Sequence, residues 1–232
     1  MKTIKRIACL SLGLMLAVPA FSQEKEEDRV KEAGEVVKEI LDAPDKGIPK
    51  DLIDKAECVV VYPSVKKAAF VVGGSYGRGV MTCRRGPKLT GPWSAPTMMA
   101  LEGGSFGFQI GGEATDFVLL IMNEKGAKSV LSSKVKLGGD ASAAAGPVGR
   151  TITAETDVVM KAQILSWSRT RGLFAGVSLA GSTIRADDGA NKNIYGKEIS
   201  GQDIVFKHQV PAPPSATVLL RELNKISPHH KA

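Results

Sequence analysis

The chain has 232 residues, 43% of them apolar, with Lys+Arg 31 against Asp+Glu 24. That length and apolar content suit one globular domain with a core of its own. The mild basic excess is too weak to imply a nucleic-acid partner, and three cysteines are too few for a zinc site once one of them is assigned to the N-terminal segment.

Residues 1–22 read as a secretory signal peptide. Lys2, Lys5 and Arg6 form a basic start, Ile7 to Val18 is a short apolar run, and Ala20-Phe21-Ser22 offers small residues for cleavage after Ser22. The run is short for a membrane anchor and is followed at once by Gln23-Glu24-Lys25-Glu26. Cys9 lies inside the apolar run, not at the cleavage point, so a lipoprotein signal is not expected. The mature protein is therefore expected in the periplasm or secreted. Removing the signal removes three cations and no acid, leaving a net charge of +4 and room for a local basic face.

Gln23 to Asp28 reads as a charged, frayed lead-in, with Glu26-Glu27-Asp28 solvated. Arg29 to Leu41 has helical spacing, with Val30, Ala33, Val36, Val37 and Ile40 on one side. Its other face mixes Lys31 and Lys38 with Glu32, Glu35 and Glu39, which suits a helix docked on a sheet better than one that binds an anionic membrane. Pro49 opens a short second helix through Ala56. Cys58 to Tyr62 is a strand that Pro63 should stop, and 67–74 with 77–84 forms a hairpin. Cys58 and Cys83 thus fall on strands. An exported protein permits a disulfide, but a simple meander does not bring the two opposite each other, and buried free thiols are expected.

Arg85 to Trp93 is a loop, and Ala95 to Leu101 a short helical connector. Ser105–Gly112 and Asp116–Met122 are strands; the run Phe117 to Met122 lacks alternation, so both of its faces should be buried. Glu124 to Ser132 is a helix capped by Asn123. Residues 134–137, 141–148 and 158–169 continue the strands, the last of them favoured over a helix by the alternation around Trp167. Ser166 to Gly181 then forms two strands about a tight basic turn at Arg171-Gly172. Asp187 to Asn193 is a polar turn, Pro211 to Pro214 a stiff linker, and a Ser215 cap opens a final helix to Ile226. Glycine recurs inside three strand stretches, Val71 to Val80, Gly103 to Gly112 and Ser166 to Gly181, and points to sharply bent strands.

No catalytic constellation emerges. The histidines are His208, His229 and His230, all late, so a hydrolase built on Ser178 has no base nearby. Gly176 to Ala180 lacks the last glycine of a nucleophile elbow, and Gly74 to Gly79 is neither a Walker loop nor a dinucleotide fingerprint. No cofactor and no metal site is expected. The cations are more suggestive. Lys66, Lys67, Arg84, Arg85, Arg169 and Arg171 fall at strand ends or turns, and Arg78 and Arg150 join them if the sheet curls. Turn-borne Arg and Lys can gather phosphates; scattered surface charge is the competing explanation.

Several motifs occur together and in order: Gly47-Ile48-Pro49, Tyr62-Pro63, Lys67 to Gly74, Gly77-Arg78-Gly79-Val80, Trp93-Ser94-Ala95-Pro96, Gly107 to Gly111 and Thr115 to Leu119. The most specific are Gly139 to Arg150 and Ser168 to Ser178, and Asn193-Ile194-Tyr195-Gly196 closes the set. On these the chain resembles the SYLF domain, also described as the Ysc84-type actin-binding domain, over nearly all of the mature sequence to about residue 196. The resemblance implies a binding module, not an enzyme. Eukaryotic relatives bind phosphoinositides, with an N-terminal amphipathic segment contributing, and some bind actin filaments. An exported protein would not meet actin, so anionic lipid is the partner class carried over.

The expected architecture is α+β: a strongly curved antiparallel sheet or small barrel with glycine-rich strands and flanking helices. Residues 23–200 form the SYLF-like domain and 201–232 a C-terminal extension. The expected function is binding of anionic, phosphoinositide-like headgroups at a membrane surface through Lys66, Lys67, Arg78, Arg84, Arg85, Arg150, Arg169 and Arg171. The alternative is a structural or protein-interaction module of the cell envelope that does not bind lipid.

Overall fold

The computed structural model describes residues 18–42, 47–70, 72–86, 89–105, 114–148, 161–170 and 173–228. In chain order its elements are helix α1 (Val18–Asp42), helix α2 (Lys50–Lys55), and strands β1 (Cys58–Phe70), β2 (Val72–Cys83), β3 (Thr97–Ser105) and β4 (Ala114–Ile121). Helix α3 (Glu124–Ser132) follows, then β5 (Val135–Lys136), β6 (Ala143–Ala145), β7 (Ile164–Thr170), β8 (Leu173–Gly176) and β9 (Thr183–Ala186). Helices α4 (Asp188–Tyr195) and α5 (Gly201–Val205), a 3-10 turn (Pro214–Ala216) and α6 (Thr217–Ile226) complete the chain. Among the described residues no helix is long and apolar enough to cross a membrane.

All nine strands join one strongly curled sheet in the order β5-β9-β3-β2-β1-β4-β7-β6, with β8 also paired to β7. The pairings are antiparallel except β6 with β7. Strands β5 and β6 stand at its two ends, so among the described residues the sheet is a half-barrel and not a closed one.

Both faces of the sheet are covered. Because successive strand side chains point to opposite faces, β1 divides cleanly. Val59 and Val61 join a core with Val30, Val37, Leu52, Leu219 and Leu223 of α1, α2 and α6. Cys58, Val60 and Tyr62 join a second core with Val130 and Leu131 of α3 and Ile204 of α5. The unbroken apolar run of β4 follows from this: Phe117, Leu119 and Ile121 face one core, Val118 and Leu120 the other. The C-terminal helix α6 packs its Leu219 and Leu223 in the same cluster as α1.

The stripe Val30, Ala33, Val36, Val37 and Ile40 is buried, as a docked helix requires. Helix α3 runs as its cap predicts, with Asn123 Oδ1 accepting from Gly126 N at 2.8 Å. The β7–β8 hairpin also forms, closing on the pair Thr170–Leu173. Elsewhere the structure corrects the sequence reading. Helix α1 is already formed at Val18, before the expected cleavage point, and Glu26 is buried within it, not part of a solvated tail. Pro63 does not stop β1. Its missing N–H falls in a bulge, one residue longer in β1 than in either neighbour, where Ser64 takes φ 54°. The β1–β2 corner lies between Phe70 and Val72, earlier than expected.

Residues 97–101 are a strand, not a helical connector. All five are buried, and such a run carries no period; pairing with β2 and β9 decides its state. Asp187 to Asn193 is no turn. Asp187 caps α4 by accepting from Ala190 N at 3.2 Å, Gly196 ends it at φ 69°, and Ala190 and Ile194 pack into the α1-side core. Ser215 does not cap α6; the 3-10 turn precedes that helix and Ser215 is buried. Finally, Cys58 and Cys83 are not free thiols but form a disulfide. They are Cα partners in the β1–β2 ladder, because the hairpin corner at 70–72 puts them directly across from each other.

Candidate functional site

The sheet has two ends of different character. One holds the β1–β2 corner, Ser105 of β3, Ala114 of β4 and the β7–β8 corner, and it carries the glycine-rich segments. The other holds Cys58, Cys83, Thr97, Ile121 and Ile164.

The eight candidate cations divide between these ends. At the glycine-rich end Lys66 is exposed and pairs across the ladders with Tyr76 and Ala114. Lys67 follows it in β1, paired with Ser75. Arg150 and Arg171 lie outside the described residues, Arg171 between the paired ends Thr170 and Leu173.

Arg169 stands two residues from that end but is engaged. Its Nε donates to Asp116 Oδ2 at 2.7 Å, and its guanidinium also meets Glu39 of α1. Asp116 in turn accepts from Ser64 N at 2.8 Å, so this cation fastens the β1 bulge and α1 to the sheet. Arg78 lies mid-sheet. Its Nε donates to Tyr76 Oη at 2.9 Å and stands 3.2 Å from Asp187, while Nη1 stands 3.4 Å from Glu26. The Tyr76 hydrogen bond is the largest contribution holding its charged form.

Arg84 is a correction. The sequence places it among ligand-gathering surface cations; the structure buries it completely at the other end. Its Nε donates to Ala56 O (3.0 Å), Nη1 to Ser227 O (3.2 Å) and Nη2 to Ser227 Oγ (2.5 Å) and Ile53 O (3.3 Å), with the guanidinium 4.3 Å above the Trp93 ring. It collects carbonyls left over at the C-terminal ends of α2 and α6, a need no short-range pattern announces. Arg85, its neighbour, is exposed at that same far end. The structure therefore does not gather the described cations into one cluster: Lys66 and Lys67 share an end, Arg78 and Arg169 are held by acids, and Arg84 and Arg85 are remote.

The sequence implies apolar side chains at the rim beside the cations but does not single out which. Among the described residues the large exposed hydrophobic side chains are Tyr76 (48% exposed), Val148 (40%) and Leu173 (66%). Tyr76 faces Lys66, and Leu173 begins β8 at the β7–β8 corner. Val148 follows β6, which runs parallel to β7 toward the same end, and its neighbour Pro147 accepts from Trp167 Nε1 at 2.9 Å. Leu173 and Val148 break no periodic pattern, so only the sheet's geometry singles them out.

Comparison with known proteins fits this architecture. The family model described as "Las17-binding protein actin regulator" matches residues 102–226, more than half of the chain. The chain belongs to the Ysc84 family. It is 32% identical over 207 residues to SH3 domain-containing YSC84-like protein 1 of Rattus norvegicus, covering 87% of this chain and 59% of that protein. It is 34% identical over 182 residues to Protein YSC84 of Saccharomyces cerevisiae and 33% identical over 182 residues to LAS seventeen-binding protein 3 of the same species, covering 77% of this chain and 38% and 39% of theirs. The chain thus spans about half the length of the curated relatives it matches. The family match reaches residue 226 and so takes in α6, which the motif resemblance left outside. The family model is described by binding and actin regulation, and the last of these relatives is named for binding.

Proposed function

We propose that the chain is a non-enzymatic binding module that sets the glycine-rich end of its sheet on an anionic lipid surface. Lys66 and Lys67, with Arg171, meet headgroup phosphates of the phosphoinositide kind, and Tyr76, Val148 and Leu173 enter the interface. One observation carries this reading: the large apolar side chains left exposed stand at the end that holds Lys66. Apolar contact and cation–phosphate attraction act together at a membrane surface, each basic residue near it adding about 1 kcal/mol, and tyrosine suits the boundary between them. The lipid surface is met outside the cytoplasm, in keeping with the signal read in residues 1–22, which also keeps the chain away from actin.

Docking on a protein of the cell envelope is the second reading. It is favoured by the relatives named for binding Las17 and by the acids that already hold Arg78 and Arg169. Vesicle flotation separates the two. The lipid reading predicts flotation with anionic vesicles, none with neutral ones, and loss in high salt. Equal failure on both vesicle types leaves the protein partner.

A further inference from the structure

The far end of the molecule holds a cavity of about 380 Å³, lined by Arg85, Trp93, His208, Val210, Pro211 and Leu220 among others. We infer that this cavity binds a small molecule with one acidic group, a carboxylate or phosphate, on a compact apolar body. Two basic side chains enter it from different elements: Arg85 from the loop after β2, and His208 from the segment after α5. No described acid pairs with Arg85, and none lines the cavity. This sets Arg85 apart from Arg78, Arg169 and Arg185, each of which meets a carboxylate.

The cavity is also built. The Arg85 backbone is fixed at both its groups, its N donating to Pro92 O and its O accepting from Gly91 N, each at 2.8 Å. His208 is held at φ 53°, a left-handed conformation that a non-glycine residue adopts only where its surroundings impose it. Burial, with Arg85 as second cause, lowers the His208 pKa, so the site favours a neutral imidazole until an anion enters. The nearest charged neighbours on α5 and its exit, Asp203 and Lys207, are paired with each other at 2.8 Å. Apart from Gln209 the remaining walls are apolar, Trp93, Val210, Pro211 and Leu220 among them, which favours a ligand with an apolar body over a bare inorganic ion. This site stands at the opposite end from the lipid-docking surface and does not depend on it.

The test is titration of the full chain with hexanoate, hexyl phosphate, inorganic phosphate and hexanol, followed by calorimetry and by the His208 ring proton resonance. A tripeptide ending in leucine, with a free or an amidated C-terminus, separates a small free acid from the terminal carboxylate of a protein. Expected are saturable binding of an acid that also has an apolar body, a rise of the His208 pKa on binding, and about tenfold weaker binding in Arg85→Gln. Lys66→Gln, at the other end, should bind as the parent does. Binding of hexanol as tight as that of hexanoate, a His208 resonance unmoved by every acid, or an unchanged affinity in Arg85→Gln overturns the inference.

Discussion

Replacing Arg84 by methionine keeps an unbranched chain of similar reach and removes the guanidinium. Ser227 O keeps a partner, since it also accepts from Trp93 Nε1 at 3.1 Å, and Ile53 O keeps Ala56 N at 3.3 Å. Ala56 O and Ser227 Oγ lose the Arg84 donors at 3.0 and 2.5 Å. A buried acceptor left without its partner costs about 1–3 kcal/mol, and the stacking on Trp93 adds about 1–2 kcal/mol when desolvated. Relief of guanidinium burial, which lowers the Arg84 pKa to about 10, opposes these. A net loss of about 3 kcal/mol is expected, lowering the melting temperature by about 10 °C in a domain of this size. Arg85→Gln, one residue away and exposed, should stay within about 0.5 kcal/mol of the parent. Denaturant unfolding of both variants checks this. An Arg84→Met protein as stable as the parent, yet unable to bind anionic vesicles, would refute the structural role and return Arg84 to the ligand-binding set.

Replacing Cys58 and Cys83 together by alanine should cost about 3.5 kcal/mol by the chain-entropy relation for their separation of 25 residues, read from urea midpoints with and without the bond. Gly146→Ala drives a Cβ into the buried Trp167 ring, so a loss of about 3 kcal/mol and a changed tryptophan emission are expected. Burial, and secondarily Glu124, raises the Glu57 pKa from an ordinary 4.5 to about 7, with Arg84 opposing. Between those values the folded state holds a proton the unfolded chain has released, so this contribution is complete below about pH 4.5 and is lost as pH rises through about 7. Glu57→Gln should therefore melt above the parent at pH 8 and with it at pH 4, as measured by thermal scans across that range.

Elements with a one-sided pattern or a local cap were readable in the sequence. The apolar stripe of α1, the Asn123 cap of α3 and the hairpin about Arg171-Gly172 each state their geometry within a few residues. Residues 97–101 do not, because a strand buried on both faces has no period to read. The caps of α4 lie among Asn, Gly and Asp residues that equally suit a turn. The site was less legible than the fold. Whether a cation is free depends on acids far away in sequence: Glu26 lies 52 residues from Arg78, and Glu39 lies 130 from Arg169. Arg84 answers to helix ends up to 143 residues distant. The basic residues could be found by inspection, but their counter-charges could not.

The docking end can be probed directly with an environment-sensitive dye on Leu173→Cys, in a background where Cys9 is serine and the Cys58–Cys83 bond is intact. Its emission should shift to the blue on anionic vesicles and not on neutral ones, while the same dye on Gln209→Cys, at the far end, should not change. A dye at residue 173 that stays in water on every vesicle, or one that responds equally at residue 209, would contradict docking through the glycine-rich end.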